Sequence, residues 1–258
     1  MMLTQEQVKS AAERLEQAEK TRQQIRMISL DHPGMDMADA YAVQQAWIEM
    51  KKAQGRTIKG HKIGLTSKAM QSALNIDMPD SGVLLDDMFF QDAGDIPTDR
   101  FIATRIEAEL AFVLKSRLAG PDCTLYDVIN ATDFVTPALE ILDTRILRVD
   151  PQTKVTRTVF DTIADNAANA GIVLGGRPFK PTEADMRWVG AIVFRNAQVE
   201  ETGLAAGVLN HPAMGIAWLA NRMAERGGAM WCWPALSFAP SKPVKVIRSM
   251  PITVRGGP

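Results

Sequence analysis

Three carboxylates in this 258-residue sequence have the type and spacing to hold a metal ion. Glu107 and Glu109 lie in the run Arg105-Ile-Glu-Ala-Glu-Leu-Ala-Phe-Val-Leu114. In an extended strand the two glutamates share one face, while Ile106, Ala108, Leu110 and Phe112 take the other. Two like charges about 7 Å apart on one face repel, and a hard cation between them removes that cost. Glu140 sits in the apolar run Thr136-Pro-Ala-Leu-Glu-Ile-Leu142, where a buried carboxylate needs a partner. Carboxylate oxygens with few histidines nearby suit Mg2+ or Mn2+. The same Glu-x-Glu pattern also fits a solvent-facing strand of salt-bridged glutamates.

Five other residues could take part. Lys62 lies in Lys59-Gly-His-Lys-Ile-Gly64, where flanking glycines allow a ligand to approach the backbone. Its cation could hold a carboxylate or an enolate, or could simply be exposed on an edge strand. Asp80 follows Pro79 and is either a proton carrier or a turn former. Asp165-Asn166 fits a polar loop lining a site or a plain turn, and His211 before Pro212 reads as a helix start.

The elements that must position these residues fall into two parts. Thr4 and Gln7 make a capping box, and Val8, Ala12, Leu15, Ala18 and Ile25 follow at helical spacing. Pro33-Gly34 breaks the chain; Asp36 caps a second helix carrying Met37, Tyr41, Trp47 and Met50, which Gly55 ends. Short β-like runs follow at 58–63, 106–114, 134–142, 172–174 and 188–194, and a last helix starts at Pro212 and stops before Gly227-Gly228. These features predict a helical region over 1–57 and a mixed-β body with short helices after it.

Composition narrows the class. The sequence is 46% hydrophobic and 23% charged with a formal net charge of −1, so no global field recruits nucleic acid or an anionic membrane. Two cysteines, Cys123 and Cys232, make no disulfide framework. The first residues lack an apolar signal core, and no run approaches the ~20 apolar residues of a membrane span. A cytoplasmic location is expected.

The motifs at 60–71, 79–90, 105–114, 134–145, 165–176 and 200–221, in this order, resemble the hydratase/decarboxylase branch of the fumarylacetoacetate-hydrolase-like superfamily. The resemblance extends to about residue 228. It implies an α+β fold, with a helical N-terminal region (1–57) before a mixed β-barrel-like catalytic core (58–229). It implies Glu107, Glu109 and Glu140 as ligands of Mg2+ or Mn2+, Lys62 and Asp80 as active-site residues, and assembly into homo-oligomers. The implied reaction is addition of water to 2-oxohept-enedioate, giving 4-hydroxy-2-oxoheptanedioate in aromatic meta-cleavage catabolism. Hydration of 2-hydroxypenta-2,4-dienoate and decarboxylation of 4-oxalocrotonate are the alternatives within the branch.

The segment 230–258 departs from that resemblance. Met and Trp each have one codon, so Met230-Trp-Cys-Trp233 fixes most of its DNA. Read from the third base of the Met codon, the frame continues into a sequence resembling the family's closing strands. The reading is a frameshift between about Arg226 and Met230 and an aberrant tail after it. An inactive or non-catalytic binding subunit is the alternative this tail raises.

Overall fold

Helix formation at the start follows from the caps. Thr4 accepts from the Gln7 backbone while the Gln7 side chain returns to Thr4, fixing the first turn of α1 (Gln5–Thr21). Asp36 and Asp39 make the same reciprocal pair at the start of α3 (Met37–Ala53). The short α2 (Ile28–Asp31) lies between them. The computed structural model describes residues 3–74, 76–225, 227–228, 230, 235–236 and 244–245. Of the tail expected from 230, only Met230 and the last two pairs are among these; Cys232 and the rest of that segment, and Arg226, lie outside the described residues.

The body is built on an eight-stranded mixed sheet. Its strands are β1 (Ile58–Gly64), β2 (Asp80–Leu85), β3 (Phe89–Phe90), β4 (Arg105–Leu114), β5 (Thr132–Leu142), β6 (Asn169–Leu174), β9 (Ala235–Leu236) and β10 (Val244–Lys245). The order is β2-β1-β9-β4-β5-β6-β3, with β10 against β4. The two ends of that order, β2 and β3, are separated in sequence only by Asp86–Met88. No backbone pairing joins β2 to β6 among the described residues. Side-chain amides do so instead: Asn169 of β6 donates to Val83 O at 3.0 Å, and Asn166, just before β6, accepts from Val83 N–H at 2.7 Å and donates to Val83 O at 2.9 Å.

β7 (Gly190–Arg195) and β8 (Gln198–Leu204) form a separate hairpin. The strand expected from Trp188 therefore starts two residues later, after a short 3-10 turn over Met186–Trp188. Four helices complete the body: α4 (Lys68–Leu74), α5 (Leu125–Ala131), α6 (Val159–Ala164) and α7 (Pro212–Ala224). His211 is the N-cap of α7, its ring accepting from Ala213 N–H.

The alternation in β4 sorts its two faces as its residue types demand. Leu110, Phe112 and Leu114 join a core with Val128 of α5 and Ile216 and Leu219 of α7. On the other face, Ala111 meets Leu84, Ala138 and Ile172 in a small apolar floor. The N-terminal helices do not form a core of their own. Leu15, Met27, Val43 and Trp47 pack with Ile146, Ile163 and Ala164 from the body. Polar groups lock this joint. Trp47 Nε1 donates to the buried Glu16 carboxylate at 2.9 Å, and Lys51 pairs with the same group. Burial opposes ionisation of Glu16, but bonds from Lys51, Gln54, Trp47 and Lys20 outweigh it and hold its pKa down to about 2.

Candidate active site

The antiparallel register of β4 and β5 places Glu107 directly opposite Glu140 and Glu109 opposite Ala138. One carboxylate oxygen from each of Glu107, Glu109 and Glu140 lies within 4.8 Å of the others. Glu109 and Glu140 are buried and Glu107 is half-buried, which excludes the solvent-facing, salt-bridged alternative for this strand face. Three acids at this spacing cannot all stay ionised without a cation. Burial raises Glu140, and Glu107 and Asp80 raise it further, so its pKa reaches about 8 although Lys62 opposes the shift. Glu107 is also raised, chiefly by burial. Oxygen-only donors, converging within one ion's reach and with Glu140 Oε1 lacking a hydrogen bond, fit a hard divalent cation.

Lys62 reaches the same point from β1. Its Nζ lies 3.4 Å from Glu140 Oε1, and it is buried. Burial alone would lower its pKa, but Glu140, Asp80, Glu107 and Glu109 hold the ammonium well above its usual range. Asp80 begins β2 opposite Gly64. Burial raises its pKa, while Lys62 and the Gly64 N–H oppose that shift, and its Oδ1 has no hydrogen-bond partner. The structure thus brings together Glu107, Glu109, Glu140, Lys62 and Asp80, the five residues that the resemblance implies for the site.

Two glycines make the approach possible. A Cβ on Gly64 would sit 2.4 Å from Asp80 Oδ1 and 3.0 Å from Lys62 Nζ. A Cβ on Gly82 would sit 2.6 Å from Asn166 O. Behind Gly82, the loop Asn166–Ala168 carries three consecutive residues with left-handed backbone, φ 53°, 53° and 59°. Such residues cost of order 1–3 kcal/mol each outside glycine and persist only when their surroundings dictate them. Here the dictating contacts are the Asn166–Val83 bonds and the buried Arg145. Arg145 N–H donates to Asp165 Oδ2 at 2.8 Å, its Nε pairs with Asp165 Oδ1, and its Nη2 donates to Asp165 O at 3.0 Å. Its guanidinium also stacks 4.9 Å from the Trp47 ring. The sequence offered Asp165-Asn166 as a site loop or a turn. Arg145 went unnoticed, and only its place three residues after an apolar strand could have marked it.

No protein-family model matches the chain. A curated relative from Escherichia coli named 2-oxo-hept-4-ene-1,7-dioate hydratase is 65% identical over 213 residues, 83% of this chain and 80% of the relative. The solved structure of 4-oxalocrotonate decarboxylase from Pseudomonas putida G7, complexed with magnesium and adipate, superposes with a TM-score of 0.88 at 36% identity. It covers 95% of this chain and 92% of that one. Fumarylpyruvate hydrolase from Pseudomonas aeruginosa, complexed with Mn2+ and pyruvate, shares the fold alone: TM-score 0.51 at 12% identity, covering 74% of this chain and 81% of that one. On the fold, the carboxylate cluster and these identities, the chain belongs to the hydratase/decarboxylase branch of the fumarylacetoacetate-hydrolase-like superfamily.

Proposed function

We propose that this chain is a metal-dependent hydro-lyase that hydrates 2-oxohept-4-ene-1,7-dioate to 4-hydroxy-2-oxoheptanedioate. The observation that carries the reading is the buried cluster of Glu107, Glu109, Glu140, Lys62 and Asp80 in a chain 65% identical to a hydratase of that substrate. Glu107, Glu109 and Glu140 are the ligands of a divalent cation, Mg2+ or Mn2+. When bound, it supplies Lewis-acid polarisation of the substrate's 2-oxo group. Lys62 keeps a fixed positive charge beside the 2-oxygen, where enolate charge develops. Asp80, held toward its protonated form by burial, is the group that moves protons. In its carboxylate form, which Lys62 and the Gly64 N–H favour, it takes a proton from C3 and delivers it to C5 to give the conjugated 3-ene; it then takes a proton from the attacking water as the hydroxyl adds at C4 and passes that proton to C3. The apolar floor of Leu84, Ala111, Ala138 and Ile172 closes the pocket beneath these groups.

The same reading takes the core as barrel-like, closed where Asp80–Phe90 bends from β1 to β6. It divides the chain into 1–57, a core over 58–229 and an aberrant tail over 230–258; an intact frame on sequencing the encoding DNA would remove that last segment. It also takes the protein as a homo-oligomer. Ile192, Phe194, Val199 and Leu204 share one exposed face of the β7–β8 hairpin, more apolar surface than a lone chain gains by showing to water. A sedimenting particle of one chain's mass would count against it.

The test is thermal stability with Mg2+, then with Mg2+ and oxalate, which carries the substrate's two chelating oxygens. Each ligand at ~100 times its dissociation constant should add about 2.7 kcal/mol. Glu140→Gln should lose both increments while still melting cooperatively. A wild-type melt indifferent to both ligands would overturn the proposed function. Release of carbon dioxide in place of water uptake would move the chain to the decarboxylase reading that the 36%-identical structure supports.

A further inference from the structure

A seven-carbon dioate has a second carboxylate far from its 2-oxo end, and the strand register shows where that end must lie. β1 and β4 run in opposite directions, both pairing with β9, while β2 is antiparallel to β1 and β5 to β4. One edge of the sheet therefore gathers the end of β1 at Gly64, the start of β2 at Asp80, the start of β4 at Arg105 and the end of β5 at Leu142. The floor of Leu84, Ala111 and Ala138 closes the opposite end. A ligand held at Glu107 and Glu140 would extend away from that apolar floor, toward the end of β4 that starts at Arg105. The next residue on that strand face, two positions outward, is Arg105.

Arg105 does not act alone. The hairpin after β5, tied by the Val149–Thr156 bridge and by Arg157 N–H to Arg148 O at 2.9 Å, brings Arg157 back to the same edge. Arg157 is half-buried, and Arg105 is among the charges that act on it, behind those of Asp165 and Asp161. Among the described residues, neither guanidinium has a carboxylate within ion-pair distance. Arg157 makes one side-chain hydrogen bond, from Nη1 to Ile146 O at 3.3 Å. The nearby acids are engaged elsewhere: Asp165 by Arg145 and Asp161 by Ser29 and Thr158. Two half-buried guanidiniums with spare donors and no carboxylate within ion-pair distance, at the end of the strand face that carries Glu107 and Glu109, describe an anion site.

We infer that Arg105 and Arg157 bind the distal carboxylate of a 2-oxo dicarboxylate and so select dioates over monoacids. The inference rests on the function proposed above and adds its specificity residues. It also accounts for preference within the branch, since a substrate ending before C7 leaves this pair unmatched.

The experiment is calorimetric titration of the Mg2+-loaded chain with oxalate, 2-oxoheptanoate and 2-oxoheptanedioate. The last two have equal length and differ only in the distal carboxylate. Wild type should bind the dioate about 10–100-fold more tightly than the monoacid, as expected for charge-assisted bonds. Arg157→Gln and Arg105→Gln should each reduce that ratio at least about fivefold, and Arg157→Lys should keep most of it. Oxalate, which ends before the pair, should keep its affinity in Arg157→Gln, separating a lost contact from a damaged fold. A wild-type ratio near one, or an unchanged ratio in both glutamine variants while oxalate binds, would overturn the inference alone. Absence of oxalate binding to the wild type would remove the proposed function and the inference with it.

Discussion

Lys62→Met is expected to lower turnover about 100–1000-fold and to destabilise the metal-free protein by about 3–5 kcal/mol. Methionine keeps most of the side chain's volume and deletes its charge, so packing changes little. The electrostatics change greatly. The ammonium faces Glu140 at 3.4 Å and feels Asp80, Glu107 and Glu109 as well, all within a buried pocket. Removing this buried ammonium leaves the carboxylates around it to repel each other with far less compensation. Mg2+ should then stabilise the variant more than it stabilises wild type, because the ion replaces the missing positive charge and no longer competes with an ammonium. Denaturant titrations of both proteins, with and without Mg2+, measure this difference directly. Metal-free stability equal to wild type would show that Lys62 does not compensate the cluster. Unchanged turnover would remove it from the chemistry.

Arg145→Met should cost about as much stability, roughly 3–5 kcal/mol, for a different reason. Arg145 is 1% exposed and Asp165 fully buried, so losing the guanidinium strands a carboxylate in the interior. It also removes the stacking on Trp47 and the bond to Asn169 O at 3.2 Å. The left-handed loop over Asn166–Ala168 loses its support, and turnover should fall even though Arg145 lies outside the carboxylate cluster. Adding Asp165→Asn should restore part of the stability by removing the stranded charge. A coupling energy of about 0.5–3 kcal/mol in the double-mutant cycle is expected. Additive effects of the two changes would show that the pair does not act as a unit.

The parts of the molecule legible in the sequence are those where one local rule acts undisturbed. The caps at Thr4 and Asp36 and the proline at Pro212 marked α1, α3 and α7 because a cap is a contact within four residues. The alternation of Glu107 and Glu109 against Ile106, Ala108 and Leu110 marked β4 because a strand with two different environments must alternate. α5 and α6 were missed although Thr124–Asp127 and Thr158–Asp161 are capping boxes; with seven and six residues, they complete too little periodicity to be seen. β8 was missed because Gln-Val-Glu-Glu-Thr-Gly-Leu is largely exposed and so carries no apolar alternation. β3, β9 and β10 span two residues each and exist only through their partners. The candidate site was legible as residue types. Its convergence depends on register across distant strands, which no local rule encodes. Arg105 stood beside Glu107 in the same run and attracted no attention, because a cation next to a glutamate reads as an ordinary surface pair.

The shared core of the N-terminal helices carries a consequence for how this protein is made. Leu15, Val43 and Trp47 are synthesised early, yet the surfaces that cover them, Ile146, Ile163 and Ala164, come about 100 residues later. At ordinary rates of synthesis that interval lasts roughly 5–20 s. During it, α1 and α3 can meet each other but must leave the rest of their apolar faces uncovered at the ribosome. Slowing translation between residues 57 and 146 should lengthen that exposure and raise the aggregated fraction. Speeding it should have the reverse effect, with the finished fold unchanged.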